Sequence, residues 1–301
     1  MSARVLVLGA TGMLGSTVTS ILRRSGHDVT GTVRDLALVP AGRRDRHRLF
    51  DAFTDDPSGL LEGFSSGDYV INCIGLIKHR LRDDDAGDRY NAIKINAELP
   101  YALARAAGER NVRVIQIATD CVYSGQTGGY DETAAHDATD VYGQSKSLGE
   151  VPGDHFLNLR CSIIGPEQKS RDSLLEWVLA HEPGSTFNGY LDHRWNGVTT
   201  DVFAAIAAGI VQTGSTLSGT RHLVPADSVD KDALSRLILS AYGREDVSVL
   251  PVETGTPVDR TLTTIHPDVN ATLWRDAGYD EIPTIETMVR TLASESIERD
   301  S

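Results

Sequence analysis

A seven-residue glycine loop near the N-terminus constrains the fold of this chain more than any other feature. Gly9-Ala10-Thr11-Gly12-Met13-Leu14-Gly15 lies directly between a short apolar run, Arg4–Leu8, and a helical pattern. A short apolar run bounded by glycines is typical of a buried strand. The apolar residues after the loop recur at helical spacing, at Leu14, Val18, Ile21 and Leu22. A strand, a glycine loop and a helix in this order predict the first unit of a parallel α/β sheet.

The glycines of this loop have separate physical roles. Gly9 permits the tight turn, Gly12 lets the backbone approach a pyrophosphate, and Gly15 lets the helix pack close to the strand. The helix N-terminus then offers free N–H groups and a partial positive charge to phosphates. The loop therefore predicts dinucleotide binding, and the residues that we expect to hold the dinucleotide there are Gly9, Thr11, Gly12, Met13, Leu14 and Gly15.

The first half of the chain alternates strands with helices. The predicted strands are Arg4–Leu8, His27–Val33, Arg48–Phe50, Tyr69–Ile74, Val112–Ala118 and Phe156–Ile164. Helices are predicted at Ala92–Ala107 and around Tyr142. This alternation predicts a Rossmann-type, doubly wound parallel sheet over residues 1–164, covered by helices on both faces.

The pattern loosens after Gly165-Pro166. Helices are predicted at Leu174–His181, Asp201–Gln212 and Lys231–Tyr242, with turn-rich stretches between them. Residues 165–301 are therefore expected to form mainly a smaller, irregular α/β substrate-binding domain, with some segments returning to the Rossmann sheet.

Composition excludes several classes of protein. The formal net charge of −13 argues against a protein that grips a nucleic-acid backbone. No apolar run approaches the length that spans a bilayer. The three cysteines are widely spaced and form no CxxC pair, so neither a disulfide framework nor a zinc site is expected. Free thiols and the lack of a signal peptide predict a cytoplasmic protein without a metal or a membrane partner.

The residues after the second strand bear on the choice of cofactor. An acidic residue there would hold the adenosine ribose hydroxyls of NAD, and a basic residue would accept the 2′-phosphate of NADP. The segment reads Val33-Arg34-Asp35, with the arginine first. We therefore predict NADPH as the cofactor with Arg34 as a ligand, and Asp35 leaves NADH open.

A tyrosine and a lysine provide acid–base chemistry. Tyr142-Gly143-Gln144-Ser145-Lys146 places a phenol and an ammonium one helical turn apart. A nearby cation is expected to lower the pKa of the phenol from its usual value of about 10. Thr119 ends the fifth predicted strand, where its hydroxyl can polarise a substrate carbonyl. Thr119, Tyr142 and Lys146 are therefore the predicted catalytic residues, and Tyr142 and Lys146 also lie where they can contact the cofactor.

With these features the chain resembles the extended short-chain dehydrogenases/reductases, and within them the dTDP-4-dehydrorhamnose reductase-like group. The resemblance covers essentially the whole chain. Its carriers are the glycine loop, Asn72-Cys73-Ile74-Gly75, Lys94-Ile95-Asn96-Ala97, Thr119-Asp120-Cys121-Val122-Tyr123, Tyr142–Lys146 with Gly149-Glu150, and Leu159–Gly165. In the C-terminal half, His222-Leu223-Val224 and the helix from Lys231 look like the substrate domain of that group.

The resemblance implies a reductase that acts on a keto group, at C4, of a nucleotide-activated deoxy sugar. It implies that Thr119, Tyr142 and Lys146 are catalytic and that Cys121 and Tyr142 contact the substrate. It also implies further cofactor contacts at Asp51, Ala52, Cys73, Ile74, Gly75 and Asn96. A homodimer is an open expectation.

Three positions near the sugar site depart from the group. Cys121 stands where tyrosine is usual, Ser124 where aspartate or proline is usual, and Ala118 where serine is common. These departures leave the sugar and its nucleotide open among dTDP-, UDP-, GDP- and CDP-linked substrates. The related dehydratases carry a glutamate after Thr-Asp, and its absence here disfavours dehydration.

Some basic residues have two interpretations. Arg194 and Trp195, in His193-Arg194-Trp195-Asn196-Gly197, are predicted to contact the substrate, although an ordinary surface turn explains the segment as well. Arg160 and Arg260 are candidate phosphate ligands, and each is also a candidate for a structural ion pair.

Two other functions stay open at this point. The first is a sugar-nucleotide epimerase or epimerase-reductase, which would need a further acid–base residue such as His136 or His193. The second is a non-catalytic, NADP-binding regulatory subunit built on the same scaffold.

Overall fold

The computed structural model of the chain describes residues 3–167 and 173–300. Its strands are β1 Arg4–Leu8, β2 Asp28–Val33, β3 His47–Leu49, β4 Tyr69–Asn72, β5 Arg113–Ala118, β6 Phe156–Arg160, β7 Ile163–Ile164, β8 Thr186–Tyr190, β9 His193–Trp195, β10 Val198–Thr199, β11 Gly219–His222, β12 Val229–Asp230, β13 Ser248–Val252 and β14 Val258–Asp259. Its helices are α1 Met13–Arg24, α2 Ala86–Ala92, α3 Leu99–Gly108, α4 Val141–Leu148, α5 Leu174–Leu179, α6 Thr200–Thr213, α7 Lys231–Ala241, α8 Pro267–Asp276 and α9 Ile285–Asp300.

Seven parallel strands form the central sheet, in the order β11-β6-β5-β4-β1-β2-β3. β1 pairs with β2 on one side and with β4 on the other. The chain therefore changes direction across the sheet at β1, and a crevice opens beyond the carboxyl ends of β1 and β4. The glycine loop leaves β1 at this point, so the fold places it where parallel α/β proteins bind ligands.

The sheet is buried on both faces, as the unbroken apolar runs predict. In β1, Val5 and Val7 join one hydrophobic cluster, which includes α1 and α6. Leu6 and Leu8 join a second cluster on the opposite face, packed against α3. Alternate side chains of a strand point to opposite faces, so this strand links both cores.

The sixth predicted strand proves to be two strands in different sheets. β6 ends at Arg160, and Ile163-Ile164 forms β7, which pairs with β10. The prediction of one strand over Phe156–Ile164 is wrong because the apolar run continues across the point where the pairing partner changes. The apolar run indicates that both segments are buried, but it does not indicate that the strand paired with them changes.

Two parts of the C-terminal half pack with the Rossmann layers. His222 lies in β11, which pairs with β6 at the edge of the central sheet, so its assignment to the substrate domain is corrected. α6 packs against α1. The domain division between residues 164 and 165 stays a prediction.

The segment Ala92–Ala107, which was predicted as one helix, is not a single α-helix. α2 begins at Ala86, a π-helical segment covers Ile93–Glu98, and α3 follows it. Among the helices of the described ranges, none is long and apolar enough to cross a membrane.

Candidate active site

The loop between β1 and α1 depends on close approaches that only glycine allows. Gly9 has a φ of +75°, and a Cβ placed on it would lie 3.0 Å from the Ile74 Cγ1 atom. A Cβ on Gly15 would lie 2.1 Å from the main-chain oxygen of Gly9. The Gly12 amide closes the turn by donating to that same oxygen at 2.9 Å. The loop is therefore a cradle whose shape a side chain would destroy.

The N-terminus of α1 opens onto this cradle. Its N-cap residue is Gly12, which has no side chain to cap the helix, and its first turn carries no acidic residue. Arg23 and Arg24 lie in the last turn, where they complement the helix dipole. The free N–H groups of the first turn can therefore bind an anion, and the cradle fits the pyrophosphate of a dinucleotide.

The segments after β2 and β3 extend the predicted cofactor groove. Arg34 is exposed directly after β2. The carboxylate of Asp35 accepts a hydrogen bond from the Ala37 amide at 2.8 Å and caps a short turn. Because Asp35 is used within the chain, Arg34 is the better placed of the two to meet a ribose substituent. Asp51 and Ala52, the predicted adenine contacts, follow β3 at the same edge of the sheet and are partly buried.

Asn96 joins the loop after β4 to the helix that carries Tyr142. Its Nδ2 atom donates to the Leu76 oxygen and to the Ser145 hydroxyl, both at 3.0 Å. Its Oδ1 atom accepts from the Leu76 amide at 2.9 Å. The side chain is buried and both amide hydrogens are used, so only the Oδ1 atom is left for a contact with the cofactor, which stays a prediction. Within the chain, Asn96 fixes the position of the loop that carries Cys73, Ile74 and Gly75.

Helix α4 is held at its N-terminus by carboxylates. Asp140 is the N-cap and accepts from the Gly143 amide at 2.9 Å. Asp140 also forms an ion pair with Lys78 at 2.8 Å. Asp83 accepts from the Val141 amide at 2.8 Å. These bonds join α4 to the loop after β4 and set the position of Tyr142 in its first turn.

Thr119 and Tyr142 meet at the carboxyl end of β5. Burial raises the pKa of the Tyr142 phenol, and Cys121 and the Asp120 and Asp140 carboxylates act in the same direction. The nearby Thr119 hydroxyl acts to lower that pKa, and this is a smaller effect than burial. The expectation that the pKa of the Tyr142 phenol is lowered is therefore wrong, because burial and the neighbouring side chains raise it. They keep Tyr142 protonated near neutral pH, as a proton donor requires.

Lys146 lies one turn after Tyr142 and points to the end of β5. Its Nζ atom donates to the main-chain oxygen of Ile117 at 2.8 Å. Burial lowers the pKa of Lys146 to about 8, and the Glu150 carboxylate partly opposes this. The structure thus brings together all three predicted catalytic residues.

A charged cluster that the sequence reasoning missed lies beside Thr119. Asp120 accepts a hydrogen bond from the Thr119 hydroxyl at 3.2 Å. Burial raises the pKa of Asp120, while the nearby Arg260 and Lys231 cations lower it. Cys121 lies among the same charges. Lys231 begins α7 and Arg260 follows β14, so the C-terminal half supplies both cations. The sequence had singled out Cys121 as a substrate residue and Arg260 as a candidate phosphate ligand, but it did not predict that they meet Asp120 and Lys231.

A known protein family matches the part of the chain that carries the glycine loop and the three predicted catalytic residues. Residues 5–151 match the family described as "NAD dependent epimerase/dehydratase family". This part of the chain belongs to that family. The matched residues include the glycine loop, Thr119, Tyr142 and Lys146, so this part of the chain has the sequence pattern of an NAD(P)-dependent oxidoreductase.

Similar proteins include sugar-nucleotide reductases. A probable low-salt glycan biosynthesis reductase, Agl14 of Haloferax volcanii, is 28% identical over 79% of this chain and 79% of its own. A dTDP-4-keto-6-deoxy-D-glucose reductase of Streptomyces niveus is 24% identical over 94% of this chain and 93% of its own. The crystal structure of dTDP-4-dehydrorhamnose reductase from Bacillus anthracis in complex with NADP shares the fold, with a TM-score of 0.73 and 20% identity over 98% of this chain and 100% of that one.

Two of the predicted substrate residues, Arg194 and Trp195, lie on opposite sides of β9. Only Trp195 lies beside the charged cluster near Thr119. Trp195 is buried, and the Lys231 ammonium lies 5.4 Å from the centre of its ring. Arg194 precedes Trp195 in β9, so its side chain points to the opposite side of the strand, where it donates to Ser228 at 2.6 Å.

Arg160 and the two candidate histidines have partners elsewhere. Arg160 is buried and binds Glu150, so its interpretation as a structural ion pair holds and phosphate binding is excluded. His136 contacts Arg160 and Ser147, and the His193 ring packs at a tilt against Tyr190. These contacts do not bring either histidine to Tyr142.

The thiols near the crevice are not activated. Burial raises the pKa of both Cys73 and Cys121 to about 12, and it also raises the pKa of Cys161. A thiolate at neutral pH is therefore disfavoured at all three positions. Across residues 3–167 and 173–300, no group of three or more His, Cys, Asp or Glu side chains is arranged to hold a metal ion.

Proposed function

We propose that this protein reduces the C4 keto group of a nucleotide-linked deoxy sugar with NADPH as the hydride donor. The observation that carries the proposal is the close packing of α4, which carries Tyr142 and Lys146, against the segment that follows Thr119 at the end of β5. These three residues lie at the same edge of the sheet as the glycine cradle. The sugar-nucleotide reductases among the similar proteins support the substrate class.

The residues of the chain would handle the carbonyl oxygen and its proton. A bound reduced nicotinamide supplies the hydride to the carbonyl carbon. When substrate binds, the Thr119 hydroxyl turns its single hydrogen from Asp120 to the carbonyl oxygen, and the Tyr142 phenol donates to the same oxygen, which polarises the carbonyl bond before transfer. As the oxygen gains charge, Tyr142 gives up its proton to form the alcohol.

Lys146 supports this transfer through its position. One of its three hydrogens goes to the Ile117 oxygen, which fixes the ammonium under α4. The remaining two can hold a ribose hydroxyl of the cofactor. Its positive charge also stabilises the phenolate that Tyr142 becomes after the proton has left.

Two further expectations accompany the proposal. NADPH as reductant and three free cysteines suit a reducing compartment, so we place the protein in the cytoplasm. The homodimer stays a prediction, to be tested by sedimentation.

The test is NADPH oxidation with a panel of 4-keto-6-deoxy sugar nucleotides. Wild type should consume cofactor with at least one of them. Tyr142→Phe should lose about 100-fold or more in kcat, because general acid catalysis contributes about 10²–10⁴-fold. A Tyr142→Phe variant as active as wild type would overturn the mechanism, and a wild type that oxidises no NADPH would overturn the function.

Analysis of the product separates reduction from epimerisation. A simple reductase changes the configuration only at the former carbonyl carbon, which NMR of the product shows directly. Inversion at a second carbon would favour the epimerase-reductase. Tight NADPH binding without turnover on any sugar nucleotide would favour the regulatory subunit.

A further inference from the structure

A segment of the C-terminal half lies against the loop after β5. The segment, residues 260–265, follows β14 and is named the strap, and the loop, residues 123–130, is named the β5 loop. The Tyr130 amide donates to the Thr261 oxygen at 2.9 Å, and the Thr263 amide donates to the Tyr130 oxygen at 2.8 Å. The strap and the β5 loop are therefore joined through their main chains into one hydrogen-bonded unit.

Two glycines of the β5 loop show how close this contact is. Both have a left-handed backbone, with a φ of +87° at Gly125 and +69° at Gly128. A Cβ on Gly125 would lie 2.8 Å from the Val258 Cγ1 atom, and a Cβ on Gly128 would lie 2.3 Å from the Asp259 Oδ2 atom. The β5 loop therefore fits the end of β14, directly before the strap, without room for a side chain.

Asn196 holds the middle of the strap. Its Nδ2 atom donates to the Leu262 oxygen at 2.8 Å, and its Oδ1 atom accepts from the Leu262 amide at 2.9 Å. A side-chain amide offers the same donor and acceptor as a peptide group, so this pair continues the contact of β9 with β14 beyond the last paired residues. Asn196 is 8% exposed and Leu262 is 2% exposed, so the bonds are shielded from water.

The main chain on both sides of Asn196 is fixed. Trp195 is buried and donates from Nε1 to the Ser162 hydroxyl at 2.8 Å. A Cβ on Gly197 would lie 2.5 Å from the main-chain oxygen of Ser162. Asn196 is therefore mounted on the segment between β6 and β7, and its side chain is a fixed point for the strap.

The strap reaches the segment after Thr119 through Arg260. The Nε atom of Arg260 donates to the Tyr123 oxygen at 2.8 Å. Tyr123 lies two residues after Cys121, whose amide donates to the Thr119 hydroxyl at 3.2 Å. A displacement of the strap would therefore move the chain that follows Thr119, beside the proposed carbonyl site.

The strap has no direct bond to the cofactor side of the crevice. Among the described residues, its hydrogen bonds to other segments go to Asn196, the β5 loop, Glu132 and His222. None of these bonds reaches the glycine loop or α4. A change in the strap should therefore alter the sugar site and leave the binding of NADPH as it is.

We propose that Asn196 is a positioning residue for the sugar nucleotide. It holds the strap at Leu262, and the strap holds the β5 loop as one wall of the substrate site. Without Asn196, the strap and the β5 loop must be ordered when the substrate binds, and this ordering lowers the affinity. The inference rests on the proposed function and adds a residue that acts through main-chain contacts at a distance from the substrate.

The experiment compares Asn196→Ala with a matched control, Asn270→Ala. Asn270 is 6% exposed and holds the Val224 main chain through the same two hydrogen bonds, both at 3.0 Å. Each variant loses a buried amide, so thermal unfolding should show a similar loss of stability in both. NADPH oxidation then gives kcat and the separate KM values for the sugar nucleotide and for NADPH.

Asn196→Ala should raise the KM for the sugar nucleotide by about 10-fold, because it leaves a buried N–H and C=O without partners. Its kcat and its KM for NADPH should stay close to those of wild type. Asn270→Ala should keep all three constants in spite of its lower stability. Thr261→Val loosens the strap at a second point, since the Thr261 hydroxyl accepts from the Gly129 amide at 3.0 Å, and should raise the same KM.

Hydrogen exchange tests the contact without any substrate. In Asn196→Ala the amides of Tyr130, Leu262 and Thr263 should exchange faster than in wild type, because the strap and the β5 loop open together. In Asn270→Ala these amides should exchange at nearly the wild-type rate.

Three kinetic results would overturn the inference. They are an unchanged KM for the sugar nucleotide in Asn196→Ala, an equal rise of that KM in Asn270→Ala, and an equal rise of the KM for NADPH. Unchanged exchange of the Tyr130 amide in Asn196→Ala would overturn it as well. If wild type reduces no sugar nucleotide, the proposed function fails, while hydrogen exchange still decides whether Asn196 holds the β5 loop.

Discussion

The guanidinium of Arg160 binds the carboxylate of Glu150 through two hydrogen bonds, with Nε–Oε1 and Nη2–Oε2 distances of 2.9 and 2.5 Å. Arg160 ends β6, and Glu150 lies just after the catalytic helix α4. The other three guanidinium hydrogens go to Tyr123, His136 and His222. All five donors of a buried arginine are therefore satisfied, and the pair fixes the C-terminal end of α4.

Loss of this arginine should strongly destabilise the fold. Arg160→Met leaves the Glu150 carboxylate, which is 8% exposed, without its counter-ion. Removal of one partner of a buried pair is expected to lower the free energy of unfolding by about 3–5 kcal/mol. Urea denaturation measures this change. The control is Arg290→Met, which breaks an exposed pair with Glu286 and should change stability by less than about 1 kcal/mol. Equal effects of the two substitutions would contradict the role given to Arg160.

The same network requires two neutral histidines. Arginine only donates, so the Nε2 atoms of His136 and His222, at 2.8 and 2.6 Å from the guanidinium, must both accept. Their Nδ1 atoms then carry the protons and donate to the Ser147 hydroxyl and the Thr263 oxygen. Protonation of either Nε2 would remove a bond and place a second cation against Arg160.

Acid should therefore destabilise the protein through His222. Burial, and secondarily Arg160, lower the pKa of His222 from 6.5 to about 4. The unfolded chain takes up this proton below about pH 6.5, and the folded chain only below about pH 4. The contribution of His222 to the free energy of unfolding should thus be constant above about pH 7 and fall by about 3 kcal/mol between pH 6.5 and 4. Denaturation at a series of pH values measures this.

The variant His222→Gln tests the assignment. The glutamine oxygen can accept from Arg160, and its amide can donate to the Thr263 oxygen, but it does not titrate. Most of the slope between pH 6.5 and 4 should disappear, and the part that remains has the same sign, because the pKa of His136 is also lowered. A slope identical to that of wild type would show that His222 does not control the acid transition.

Local patterns were sufficient for the first unit of the fold and for the placement of the residues that are proposed to be catalytic. β1 has the predicted bounds, Arg4–Leu8, because a short apolar run and a following glycine turn are both local signals. The placement of Tyr142 and Lys146 one turn apart on α4 was predictable because it follows from helical spacing alone. Thr119 needed one further step, the rule that parallel strands expose their carboxyl ends to the ligand crevice.

Features that depend on distant segments were not predictable in this way. The break between β6 and β7 is set by pairing with β10, which lies more than thirty residues later in the chain. The hydrogen bonds of Asn96 depend on Leu76 and Ser145, and cations from the C-terminal half of the chain lie near Asp120. A single sequence does not show which distant segments meet, so these arrangements were not predicted.

Gly149 should be intolerant of any side chain. It caps the C-terminus of α4, where a Cβ would lie 1.8 Å from the main-chain oxygen of Asn96. Gly149→Ala must push α4 away from the π-helical segment. A shift of about 1 Å in a positioned group can lower kcat by about 100-fold, and overpacking is expected to cost about 1–3 kcal/mol of stability. Kinetics and urea denaturation measure the two effects.

The matched control is Gly108→Ala at the end of α3, where an added Cβ meets nothing within 4 Å. Alanine is the better helix former, so this variant should keep full activity and be as stable as wild type or more stable by up to about 1 kcal/mol. A Gly149→Ala variant that matched Gly108→Ala in kcat would show that the contact with Asn96 does not position Tyr142.

Arg34 should decide the preference for the phosphorylated cofactor. Its guanidinium is exposed after β2, while the neighbouring Asp35 is held by its bond to the Ala37 amide. A charge-assisted bond to the 2′-phosphate contributes about 1.5–3 kcal/mol, so Arg34→Ala should raise the KM for NADPH by about 10- to 100-fold. The KM for NADH should change little, because NADH lacks that phosphate. Arg24→Ala, at the far end of α1, controls for the loss of a positive charge. An equal rise of KM for both cofactors would place Arg34 outside the 2′-phosphate site, and a wild type that prefers NADH would refute the preference itself.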